Sequence, residues 1–158
     1  MSSGRDRLAD VVLEESTLPP ATPGIEHERR IALFDMKETN SFVVVGVDRG
    51  PYVLRVSVSE GRLALDVADT DGDRVMTHHL PMAGLRKLMK DYAIVCDSYH
   101  AAIRAAAPSQ IEAIDMGRRG LHNEAAELLM EAMAERILLD LETARRLFTL
   151  VVAMYARG

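Results

Sequence analysis

At 158 residues and 48% apolar content, the chain has the length of one domain, 1–158, and enough hydrophobic material for a core, which excludes wholesale disorder. A net charge of −5 argues against general nucleic-acid binding, and no run of about 18 apolar residues offers a transmembrane helix. One cysteine, Cys96, excludes an internal disulfide framework and, with an N-terminus lacking the apolar centre of a signal peptide, fits a cytoplasmic protein.

Residues 1–7 are polar and are expected to be loose. Leu8 to Glu15 contains Val11-Val12-Leu13 and reads as a short edge strand. Prolines 19, 20 and 23 break the chain, and Thr22-Pro23 marks a helix start. From Ile25 to about Thr39 the apolar positions Ile25, Ala32, Leu33 and Met36 predict an amphipathic helix.

The period then changes to two. Phe42–Val47, Tyr52–Ser59, Arg62–Val67 and Arg74–Leu80 read as four strands joined by short turns, predicting an antiparallel meander with one wet face. Asp69-Thr70-Asp71-Gly72-Asp73 has the look of half a calcium loop. Position twelve, however, is Leu80, so a hairpin turn is the better account.

Helices follow. Leu85, Leu88, Met89, Tyr92, Val95, Cys96, Tyr99 and Ile103 carry a helical stripe from Met82 to Ala106. Ser109 with Glu112 forms a capping-box signature, Gly117 suits a left-handed exit, and a further helix runs from about Leu121 to Arg136. Asp140 can cap the last helix, whose second half, residues 147–155, is apolar nearly all round and must be enclosed by its own fold or by another chain. The class is therefore α+β: one helix, a four-stranded meander, a long helix and three further helices. Nine methionines against 4% aromatics suit a helical core filled by thioethers.

Chemistry concentrates between positions 108 and 124. There Gly117-Arg118-Arg119-Gly120 reads as a corner that places two guanidiniums beside the N-terminus of the helix carrying His122 and Asn123. Arg118 and Arg119 have the paired donors to grip a carboxylate or phosphate. The competing reading neutralises them with Asp115, Glu112 or Glu124. Glu26-His27-Glu28-Arg29 offers a second polar group, either an acid–base pair or a solvated helix start.

No histidine pair has the i, i+4 spacing of a chelate, so no metal is expected, and nothing calls for a cofactor. Cys96 lies on an apolar stripe and reads as a core residue.

The segments Ile25-Glu26-His27-Glu28-Arg29, Gly50-Pro51-Tyr52, 108–124 and 143–150 resemble an uncharacterised family of alphaproteobacterial proteins carried under a provisional label. The resemblance implies a bacterial, cytoplasmic protein and brings no catalytic residues.

Three functions follow as expectations. The first is a non-enzymatic interaction or regulatory protein, docking a protein partner through the Arg118/Arg119 corner or self-associating through the C-terminal helix. The second is a small enzyme or sensor holding an anionic metabolite with Arg118, Arg119 and His122. The third, an RNA- or ribosome-associated factor, is disfavoured by the acidic balance. The first is preferred because no complete catalytic constellation can be assembled from spacing.

Overall fold

The computed structural model describes residues 4–156. Its elements are β1 (Leu8–Leu13), a 3-10 turn (Glu15–Thr17), α1 (Pro23–Glu38), β2 (Val43–Val44), β3 (Tyr52–Ser59), β4 (Arg62–Asp69) and β5 (Arg74–Pro81). They continue with α2 (Ala83–Ala105), α3 (Pro108–Met133), β6 (Ile137–Leu138) and α4 (Leu141–Tyr155). The α+β class is the one expected.

Strands β3, β4 and β5 form the predicted antiparallel meander. The first hairpin turns on Glu60 (φ 51°) and Gly61 (φ 73°), positive angles at both central residues as the twist of a two-residue loop requires. In the second, Asp69 Oδ1 accepts from the amides of Asp71 at 3.0 Å and Asp73 at 2.9 Å, so the acidic run is a hairpin turn.

The fourth strand is not the expected one. The sheet order is β1-β3-β4-β5, and β1 lies parallel to β3, Leu8 opposite Tyr52 and Leu13 opposite Val56. The sheet is therefore mixed. A parallel pair needs a long crossover, which α1 and its flanking loops supply. Of Phe42–Val47, only Val43–Val44 is strand, paired with β6 in a separate two-stranded ribbon. Phe42 and Val44 are buried there, giving side chains to the core without joining the main sheet.

The expectation of a loose 1–7 falls partly outside the described residues. Within them, the Phe42 amide donates to Asp6 O at 3.0 Å and the Tyr52 amide to Arg7 O at 2.9 Å. Asn40 closes the free edge of β1 by accepting from the Leu8 amide (2.6 Å) and donating to Leu8 O (3.2 Å).

Thr22 caps α1 by accepting from the Ile25 amide, and Asp140 caps α4 by accepting from the Thr143 amide, as the sequence indicates. Helix α4 is the central one, packed against α1 and α3 with Leu147, Phe148, Leu150, Val151 and Met154 all buried. Its all-round apolarity is thus used by its own fold. Leu141 at its start stays exposed, and Val152 and Tyr155 near its end are half-buried.

The expected corner is also absent. Helix α3 runs without a break through Gly117-Arg118-Arg119-Gly120, so two of the three further helices are one. Neither glycine has a positive φ. Each costs a helix only about 1 kcal/mol relative to alanine, a small penalty in a helix of 26 residues that packs along α2. The helix starts at Pro108, with the Ala107 amide donating to Gln110 Oε1 at 3.2 Å; Ser109 is already inside it.

Candidate functional site

Continuity of α3 decides what Arg118 and Arg119 do. In a helix, positions 115, 118 and 119 are neighbours on one surface. Arg118 Nη2 reaches Asp115 Oδ1 at 2.5 Å, and Arg119 Nε reaches Asp115 Oδ2 at 3.1 Å. The guanidinium of Arg118 also sits 5.0 Å from the centre of the Tyr99 ring on α2, a cation–π distance. The Arg118 hydrogen bond holds the Asp115 carboxyl below the usual carboxylate range, against the opposing effect of burial. The anion clamp expected of Arg118 and Arg119 is therefore directed to a carboxylate of their own helix.

These residues lie on an arm. Helices α2 and α3 are joined by a short turn and pack against one another. From Ala93 to Gly120, Ala102 is the one buried residue. The stripe that buries Tyr92 against the core continues outward as Cys96, Tyr99 and Ile103, where α3 alone remains to cover it. Ile103 is 52% exposed, Met116 62% and Ile94 56%. Cys96 is half-buried on the core side of this stripe, and burial pushes its thiol up, away from nucleophilic use.

His122 and Asn123 belong to a different place. One helical turn beyond the arginines, His122 packs against the rings of Tyr92 at 5.3 Å and Phe148 at 5.8 Å. Its Nε2 lies 2.8 Å from Arg145 O and 3.1 Å from Thr149 Oγ1 on α4. Burial, the largest influence, lowers the imidazole pKa; the Arg145 carbonyl opposes it. Asn123 Oδ1 accepts from Arg145 Nη1.

His122 thereby joins a cleft of about 290 Å³ between α1, α3 and α4, with Ala32, Asp35, Glu142, Arg145, Arg146 and Thr149. Arg145 and Arg146 lie in the first half of α4. That helix's start was not linked to His122 because the contact spans 23 positions.

Of the remaining candidates, Glu124, Glu26 and His27 are exposed, the last two adjacent on the outside of α1. Successive residues on a helix do not face each other, so Glu26 and His27 are not an acid–base couple. Arg29 is 4% exposed and donates through Nε to Ala153 O and through Nη2 to Met154 O and Pro19 O, each at 3.2 Å. It closes the C-terminal end of α4. Arg146 answers from α4, donating to Asp35 O (3.1 Å) and Thr39 O (2.5 Å) at the end of α1. Helix ends leave carbonyls unpaired and slightly negative, and these reciprocal arginines satisfy both.

Together these features define an α+β protein with a mixed four-stranded sheet, a buried central helix, a polar interhelical cleft and a projecting two-helix arm. The chain belongs to the uncharacterised protein family UPF0262, whose family model matches residues 5–157. A UPF0262 protein of Rhizobium etli (strain CIAT 652) is 48% identical over 158 residues, the whole of both chains. Another, of Rhizobium meliloti (strain 1021), is 51% identical over 152 residues, 96% of each chain. A third, of Chelativorans sp. (strain BNC1), is 52% identical over 157 residues, 99% of this chain and 97% of that one. The alphaproteobacterial resemblance is borne out. No solved structure matches the chain. Among the described residues no helix is long and apolar enough to cross a membrane.

Proposed function

We propose that the protein is a non-enzymatic interaction protein whose docking element is the distal half of the α2–α3 arm, and that its first partner is the same arm of a second copy. One observation carries this reading: an apolar helical stripe continues past the core to Ile103, with a single buried residue between Ala93 and Gly120. Two helices cannot enclose their own stripe, whereas four can, as in a bundle.

The arm carries acids (Asp97, Glu112) and bases (Arg104, Arg119) among its exposed residues, so a twofold pairing has unlike charges available on both sides. Arg118 and Arg119 remain part of the docking element in this account. Tied to Asp115, they stiffen the arm.

Light scattering on the full chain across a concentration series tests the proposal. The wild type is expected to show a dimer that Ile103→Glu weakens at least about tenfold. A wild type that stays monomeric at every concentration contradicts it.

A further inference from the structure

We propose that the cleft between α1, α3 and α4 binds a small zwitterionic metabolite, a molecule of amino-acid size carrying both a carboxylate and a protonated amine. The site is separate from the docking arm and stands without it. At about 290 Å³ the cleft is at the small end of ligand pockets.

Two guanidiniums line it, and each is fixed from behind. Asn123 Oδ1 holds Arg145, and the carbonyls of Asp35 and Thr39 hold Arg146. Donors held in place this way lose little freedom when a carboxylate arrives.

Two carboxylates face the same space. Among the described residues Asp35 makes no ion pair, and Glu142 comes no closer to a cation than 3.9 Å, at Arg146 Nε, with its side chain 65% exposed. Both are therefore largely unspent. His122, half-buried and bonded to Arg145 O, adds no fixed charge near neutrality.

With paired opposite charges, the lining gives a bare anion little net attraction, because Asp35 and Glu142 repel it. A bare amine meets the arginines. A ligand with both poles is complementary to both halves, and its mismatched analogues are penalised by the unpaired pole.

The test is calorimetric titration of the full chain with a panel of α- and ω-amino acids, each beside its deaminated carboxylic acid and its decarboxylated amine. At least one amino acid is expected to bind about tenfold or more tightly than both matched analogues. Arg145→Gln is expected to lower that affinity at least about tenfold. Because Arg145 also contacts Asn123, the exposed Glu142→Gln gives a second reading: it is expected to narrow the preference over the deaminated acid. A carboxylic acid that binds as tightly as its amino acid overturns the proposal. So does a panel in which nothing binds.

Discussion

A methyl group at position 50 has nowhere to go. Built onto Gly50, a Cβ would lie 1.9 Å from the carbonyl oxygen of Arg5 and 3.0 Å from the Tyr52 ring. Tyr52 is fully buried, its hydroxyl donating to Val47 O at 3.3 Å, so neither neighbour can yield cheaply. Gly50→Ala is expected to lose about 2 kcal/mol or more in chemical denaturation, by forcing the N-terminal segment off β3.

His122 gives a second residue-scale expectation. Its folded pKa lies below the ordinary value of about 6.5, with burial as the chief cause. The unfolded chain then takes up a proton first, so this contribution is present above that value and declines as pH falls through it. His78, lowered first by burial and then by Arg136, acts in the same direction. Stability profiles between about pH 7 and pH 5 should therefore flatten in His122→Gln and flatten further when His78→Gln is added. A slope that both variants leave unchanged would refute this.

At the scale of elements, α3 offers a test with opposite signs for its two readings. Open space surrounds a Cβ at Gly117 and at Gly120. In a continuous helix, Gly117→Ala and Gly120→Ala should each stabilise by about 0.5–1 kcal/mol. At a left-handed corner both would destabilise. Thermal denaturation separates the two.

The α1–α4 pair is bound by its exchanged arginines, and Arg29→Met should cost about 2–4 kcal/mol by leaving carbonyls of α4 unpaired. Arg29→Lys would recover only part, since an ammonium cannot span three acceptors in the same fork.

Local pattern made much of this legible. Thr22, Asp140, the alternation in β3 to β5 and the stripe of α2 all announce their structures in sequence. What escaped is non-local or decided by packing. The parallel register of Leu8 with Tyr52 leaves no periodic mark, and Gly117 and Gly120, read as punctuation, carry too small a penalty to interrupt a long helix. The union of His122 with Arg145 joins two helices that sequence reasoning treats one at a time.

At the scale of the whole molecule, the chain divides its apolar surface unevenly. Helix α4 is enclosed, the sheet is covered on its Tyr52 and Leu65 side, and the far half of the α2–α3 arm is left with a stripe and no cover. The sequence revealed the stripe, but the limit of the core along it depends on where α4 and the sheet end, which only the assembled fold fixes. An arm that docks its twin should be selectively shielded on association, while the cleft at His122, midway along α3, keeps its solvent access.

Hydrogen exchange on the full chain, followed as protein concentration rises, tests this directly because exchange reports local opening segment by segment. Protection is expected to rise with concentration in the distal parts of α2 and α3, from about residue 97 to residue 118, and to stay flat elsewhere. Exchange in that stretch that ignores concentration would contradict the account.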